Sequence, residues 1–229
     1  MKMKLSIIMP VYNEEKTFSE IYHKVRDVKL NGIEKEIIII DDCSTDSSWD
    51  IIEKIKNKNL VKIKHKKNIG KGGAIKTGLK CITGDYMIIQ DGDLEYNPEE
   101  YNKLLKQIKN YDVVYGSRFL GEIKGFKIPL HYIGNKILSL ATTVIYGKKI
   151  TDMETCYKLI KSDIIKNIKI NSDRFDFEPE ITAKLLKNKY KIKEIPISYN
   201  CRSFKDGKKI TWKDGIKALY ILIKYRFTD

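Results

Sequence analysis

Short apolar runs alternate with amphipathic stretches through the first half of the chain. Residues 5–9, 36–40, 61–65, 86–90 and 112–116 read as strands. The run Glu36–Ile40 shows no polar alternation, as a strand covered on both faces should. Helical spacing fills the gaps over 16–28, 47–56, 72–81 and 98–109, the last opened by Pro98. This order predicts an α/β protein with a mainly parallel central sheet flanked by helices. Ligands of such sheets bind beyond the carboxyl ends of the strands.

The second half changes character. Residues 120–130 read as a loop carrying Gly121, Gly125 and Pro129. A helix over 132–145 puts Ile133, Ile137, Leu140, Ala141 and Val144 on one face. A helix over 177–188, a strand over 191–199, a basic loop over 201–209 and an amphipathic helix over 212–227 follow. With no repeat or linker, residues 1–229 are expected to form one domain. Its first half, 1–118, carries the sheet, and 119–229 ends in an amphipathic extension. The two long helices, with Trp212, Leu219, Tyr220, Leu222 and Phe227 among lysines in the second, suit either a bilayer surface or packing on the rest of the chain, and packing is the expectation for most of their apolar residues.

A hydrophobic content of 42% supports an ordinary core. No run approaches the roughly 20 apolar residues of a membrane span. The apolar start stops at Pro10, too short for a secretory signal, so a cytosolic protein is expected. Cys43, Cys81, Cys156 and Cys201 are far apart and form no CxxC pair, which argues against a zinc site or disulfide framework. The net charge of +14 favours an anionic partner, but the lysines are spread evenly, so charge alone selects none.

Polar clusters stand where three strands should end: Pro10–Glu15 (PVYNEE), Asp41–Ser48 (DDCSTDSS) and Asp91–Glu95 (DGDLE). Some must be turn formers or caps, Asp46 or Ser47 above all. Three such clusters on one sheet edge exceed what capping requires. Asp91, Asp93 and Glu95 alternate along an extended segment after a buried strand. Carboxylates so placed, without His or Cys, suit a hard cation, Mg²⁺ or Mn²⁺, which takes its other ligands from water and phosphate. The segment Ile69–Gly78 (IGKGGAIKTG) fits neither GxxxxGK[ST] nor GxGxxG. Gly70, Gly72 and Gly73 are expected to let a helix start come close to a bound ligand, a plain turn before a helix being the alternative.

These clusters, with GSRF, TDMETCYK, RFDFEPEITAK and RSFKDGKKITWKDG, resemble glycosyltransferase family 2 over nearly the whole chain. More closely, they resemble its polyprenyl-phosphate (dolichyl-phosphate) sugar synthase branch. The resemblance implies a GT-A fold and inverting transfer of a hexose from a nucleotide diphosphate sugar of the GDP-mannose or UDP-glucose type. It assigns Pro10, Tyr12, Glu14, Asp41, Asp42, Gly72, Asp91 and Gly92 to the donor, and Asp91, Asp93 and Glu95 to the metal. Arg118, Lys208 and Lys209 go to a polyprenyl phosphate acceptor, and Arg202 closes over the diphosphate or acceptor. Membrane-anchored members carry C-terminal transmembrane helices, and these 229 residues contain none. Peripheral attachment to the cytoplasmic membrane face is the corresponding expectation. A phosphate acceptor is already an anionic nucleophile, whereas a hydroxyl acceptor would need a carboxylate base such as Asp152 or Glu178. Transfer to a sugar hydroxyl, or a dead fold binding nucleic acid or lipid, are the alternatives. Intact Asp91 and Asp93 argue against the last.

Overall fold

The computed structural model describes residues 2–125, 129–201 and 212–228. In chain order these form β1 (Lys4–Val11), α1 (Phe18–Asp27), β2 (Glu34–Asp41), α2 (Ser48–Lys54), β3 (Leu60–Lys64), α3 (Lys71–Leu79) and β4 (Tyr86–Ile89). Then come α4 (Tyr101–Gln107), β5 (Val113–Ser117), β6 (Ile123–Lys124), α5 (Pro129–Tyr146), β7 (Lys158–Lys161) and α6 (Ser162–Asn167). The chain closes with α7 (Phe177–Lys187), β8 (Ile192–Pro196), β9 (Tyr199–Asn200) and α8 (Trp212–Phe227). The predicted helix over 98–109 is α4 between two 3₁₀ turns, and Asn97 caps the first by accepting from Glu99 N at 3.1 Å.

A seven-stranded sheet runs in the order β3-β2-β1-β4-β7-β5-β8. β1 pairs parallel with β2 and β4, and β2 with β3. Ile7–Met9, Ile38–Ile40 and Met87–Ile89 are fully buried, as their unbroken apolar character requires. Parallel pairing puts the carboxyl ends of β1, β2 and β4 on one edge, so the three polar clusters do converge.

The sequence reading needs three corrections. β7 was not predicted; it runs antiparallel between β4 and β5, inside the sheet. The predicted strand over 191–199 is two strands, and β9 pairs with β6 in a small second sheet. The loop over 120–130 contains β6 and the start of α5. A fourth difference concerns packing. Ile133, Ile137, Leu140 and Val144 of α5 lie exposed, with Val144 at 74%; so do Ile216, Leu219, Tyr220, Ile223 and Phe227 of α8, with Phe227 at 81%. Leu222 is buried, and α5 and α8 are joined by Tyr146 Oη donating to the Leu222 carbonyl at 2.8 Å. Periodicity marks an apolar face but does not say what covers it.

Candidate active site

The loops after β1 and β2 are laced together. Asn13 N donates to Ser44 Oγ (3.0 Å), and Thr45 N donates to Asn13 Oδ1 (2.8 Å). Glu15 N donates to Asp46 Oδ2 (3.1 Å), and Glu14 N to Ser48 Oγ (2.8 Å). Asp46 Oδ1 also accepts from Ser48 N, which makes it the capping group of α2, whose Ser47 side chain makes no cap. The side chains of Asn13, Asp46 and Ser48 are thus spent on backbone, as is that of Glu15, whose Oε2 accepts from Ser47 N at 3.0 Å. Pro10, Tyr12 and Glu14 line a cleft of about 360 Å³ along the sheet edge.

Asp42 also lines the cleft, but its carboxylate is occupied. Oδ1 accepts from Ile69 N (3.0 Å) and meets His65 Nδ1 (2.7 Å), while Oδ2 accepts from Gly70 N (2.7 Å). It therefore pins the glycine loop to β2. Asp41 is fully buried behind it; its Oδ2 accepts from Ser44 N at 3.1 Å, and its Oδ1 has no partner among the described residues. Gly70 has φ +95°, and a Cβ there would stand 2.5 Å from the Asp173 carbonyl oxygen. A Cβ on Gly72 would stand 2.7 Å from that of Ser172, so Gly72 faces the 172–174 backbone and lies outside the cleft wall. Close approach at these two glycines brings Arg174 and Phe175 to the cleft, two residues that the sequence reading did not single out.

Asp91, Gly92, Asp93 and Glu95 form the cleft floor beyond β4. Gln90 turns the other way, its buried Oε1 accepting from Tyr101 and Tyr157, both at 2.6 Å. Asp93 Oδ1 accepts from Glu95 N at 3.0 Å. The positive partner of this acidic segment is Lys71, at the first position of α3. Its Nζ lies 2.8 Å from Asp91 Oδ1 and 3.6 Å from Glu178 Oε1. Burial works against the Lys71 charge, but the Asp91 and Glu178 carboxylates outweigh it and hold its pKa well above the usual lysine value. Glu178 itself is 3% exposed, and its other oxygen pairs with the fully buried Lys158. Lys71 was missed because one lysine among many carries no signal; its setting between Gly70 and Gly72 was the available clue.

Arg118 lines the far wall. Its backbone N and Nε donate to Asp152 Oδ2, both at 2.8 Å, and its Nη2 to Oδ1 at 2.7 Å. Its guanidinium lies 5.1 Å from the Tyr199 ring centre. Asp152 is fully buried behind it, its own backbone N donating to Glu194 at 3.0 Å. Thus Asp152 and Glu178, the two carboxylates expected as bases for a hydroxyl acceptor, both lie behind the wall in ion pairs. Arg202, Lys208 and Lys209 fall outside the described residues.

Glu154, not anticipated, sits beside both pairs. Burial, reinforced by the Glu178 carboxylate, pushes its carboxyl up to about 7 from the usual 4.5, against Lys158 and Arg118. Its Oε1 is buried without a partner among the described residues. The folded chain therefore keeps a proton there that the unfolded chain releases above about pH 4.5. That stabilisation is complete below pH 4.5 and lost as pH rises to about 7. Glu154→Gln keeps the neutral form at every pH. Relative to wild type, it should gain about 1–3 kcal/mol of stability between pH 4.5 and 8. Urea melts at pH 5 and pH 8 check this; a difference that does not grow with pH refutes it.

No cluster of three or more His, Cys, Asp or Glu able to hold a metal alone occurs among the described residues. Asp91 and Asp93 still suit Mg²⁺ or Mn²⁺ by donor chemistry. Such ions are held by one or two carboxylates when substrate phosphates complete the shell, and a cationic group already faces Asp91.

The pattern described as Glycosyl transferase family 2 matches residues 6–169. The chain is 30% identical over 234 residues to a dolichol-phosphate mannosyltransferase of Pyrococcus furiosus, covering 97% of this chain and 64% of that protein. It is 29% identical to the low-salt glycan biosynthesis hexosyltransferase Agl6 of Haloferax volcanii, covering 89% of this chain and 51% of that one. The chain thus spans about half to two thirds of these two relatives. Among solved structures, it resembles S. aureus TarS 1–349 in complex with UDP-GlcNAc, with a TM-score of 0.68, 20% identity and coverage of 97% of this chain and 66% of that one. It also resembles glucosyl-3-phosphoglycerate synthase from Mycobacterium tuberculosis in complex with Mn²⁺, UDP and glucosyl-3-phosphoglycerate. There the TM-score is 0.71 at 14% identity, covering 97% of this chain and 78% of that one. The fold is GT-A, and the chain belongs to glycosyltransferase family 2.

Proposed function

We propose that this glycosyltransferase moves a hexose from a nucleotide diphosphate sugar, of the GDP-mannose or UDP-glucose type, to a polyprenyl phosphate at a membrane surface. One observation carries the acceptor. Helix α5 puts Asn135 in the cleft wall while Ile133 and Ile137, on the same helix, lie bare to solvent. A lipid phosphate needs this arrangement, because its headgroup must enter the cleft while its chain stays in hydrocarbon. The exposed stripes 133/137/140/144 and 216/220/223/227 share one helical spacing, and exposed Lys136, Lys217, Lys224 and Arg226 accompany them. An apolar stripe with basic company suits an anionic bilayer. No helix among the described residues is long and apolar enough to cross a membrane. The Pyrococcus relative's description as a dolichol-phosphate mannosyltransferase supports the same class.

In this reading Pro10, Tyr12, Glu14 and Gly92 receive the nucleotide diphosphate. Asp42 holds the loop over it, and Asp41 lies behind. Asp91 and Asp93, with Glu95, would hold Mg²⁺ or Mn²⁺, which when bound offsets negative charge growing on the leaving diphosphate. Arg118, oriented by Asp152, faces the acceptor phosphate across the cleft. A phosphate oxygen is a nucleophile without a base, so the pairing of Asp152 and Glu178 costs nothing. A hydroxyl acceptor is the second reading; it would need a carboxylate base, and the two expected for that role, Asp152 and Glu178, are held in ion pairs with Arg118 and Lys158.

The deciding experiment offers radiolabelled GDP-mannose and UDP-glucose with Mn²⁺, with and without polyprenyl phosphate in anionic vesicles. A mild-acid-labile lipid product is expected; a product made only on glycan hydroxyls refutes the acceptor assignment. Ile137→Asp with Val144→Asp should cut transfer to vesicle-borne acceptor at least about tenfold, since a charged residue opposes insertion by about 2.5–3.5 kcal/mol at full depth. Transfer to a short, water-soluble prenyl phosphate should be spared. Equal loss on both acceptors would mean that the face is structural.

A further inference from the structure

We infer that Lys71 is a placeholder cation: it neutralises Asp91 in the empty cleft and moves to Glu178 when a divalent ion arrives. This rests on the metal-dependent reading above and adds a positioning residue to it. The geometry offers the ammonium two seats. The occupied one is Asp91 Oδ1, at 2.8 Å. The other is Glu178 Oε1, at 3.6 Å, a buried oxygen with no hydrogen-bond partner among the described residues. Lys158 already holds the second Glu178 oxygen, so Oε1 is the one left to receive a donor.

A divalent ion and the ammonium would compete for the Asp91 carboxylate. With the ion at about 2.0–2.1 Å from a carboxylate oxygen and the ammonium on the same group, two positive charges stand a few ångströms apart. Like charges that close in a partly dry cleft repel each other. Reaching Glu178 Oε1 at hydrogen-bond distance needs a shift of under about 1 Å. The backbone stays fixed during that shift. Gly70 N is tied to Asp42, and Gly73 N donates to the Asp173 carbonyl at 2.8 Å. Only the side chain moves. In its second seat the ammonium remains beside the diphosphate position, where it reinforces the charge stabilisation of departure.

The exchange predicts opposite signs for two measurements, which a merely structural lysine would not give. Without nucleotide, Lys71→Met and Lys71→Gln should bind Mn²⁺ about tenfold tighter than wild type, because no resident cation competes. Turnover in both should fall at least about tenfold. Lys71→Arg, which keeps the charge, should bind Mn²⁺ alone within about threefold of wild type. Calorimetry or Mn²⁺ electron paramagnetic resonance reads the affinity, with thermal melts as the folding check. A wild-type crystal soaked in Mn²⁺ alone gives a test free of substitutions: Lys71 Nζ should stand within about 3.2 Å of Glu178 Oε1. Neutral variants that bind Mn²⁺ no tighter, or an ammonium still on Asp91 beside bound Mn²⁺, overturn the exchange. If wild type binds Mn²⁺ neither alone nor with UDP or GDP, the metal reading falls and the exchange with it. Normal nucleotide-supported Mn²⁺ binding with no Lys71 effect sinks the exchange alone.

Discussion

Asp93→Ala is expected to lower turnover about a thousandfold while the protein stays folded, a barrier increase of about 4 kcal/mol. Asp93 lies in the cleft floor at 4% exposure, two residues from Asp91 and beyond the end of a buried parallel strand. In the proposed reaction negative charge gathers on the leaving diphosphate, and the divalent ion is what meets it. Losing one of two carboxylates displaces that ion from where the charge develops, so the loss should appear in turnover more than in donor KM. The fold should tolerate the change. Asp93 Oδ1 accepts one backbone bond, from Glu95 N in a half-buried loop, and alanine removes a carboxylate from an acidic segment. Steady-state rates at saturating Mn²⁺ and thermal melts of both proteins check the two halves. Near-normal turnover in the variant, or in wild type with EDTA present, would mean that the acidic segment does not serve the chemistry through a metal.

What the sequence disclosed and what it withheld divide along physical lines. The edge built from β1, β2 and β4 was legible because each strand carries an unbroken apolar run that stops at a polar cluster. The parallel pairing Val11 to Asp41 and Ile8 to Ile89 then makes convergence unavoidable. β7 was not legible. It is four residues long and begins and ends with lysine, one of which is fully buried because Glu178, twenty positions on, neutralises it. Only the tertiary partner makes that lysine an interior residue. The same limit hid the fate of Asp152 and Glu178. A motif shows that carboxylates recur, whereas their ion pairs with Arg118 and Lys158 decide that they hold other groups in place. For α5 and α8, periodicity gave the apolar faces but not their surroundings.

Arg118→Ala is expected to cost about 3–5 kcal/mol of stability, because it leaves Asp152 as a buried charge without its counter-ion. Asp152 is fully buried, and its two oxygens take three bonds from Arg118, one from the backbone and two from the guanidinium. Alanine keeps the backbone bond and loses both others, together with the guanidinium's contact with Tyr199. For a chain of this size the cost corresponds to a fall of about 6–20 °C in melting temperature. Lysine should recover part of it, since an ammonium restores charge but not the forked geometry. Asp152→Asn should cost less than Arg118→Ala, because Arg118 reaches the cleft and water can solvate the charge left behind. Removing both partners should recover stability relative to the sum of the single losses, so a double-mutant cycle reads the pair directly. Below the variant's melting range, Arg118→Ala should raise the acceptor KM while calorimetry shows donor affinity unchanged. Equal loss of donor affinity would move Arg118 to the diphosphate. A melting temperature within a degree or two of wild type would mean that the pair is not the buried link between β5 and the Thr151–Cys156 segment that the geometry describes.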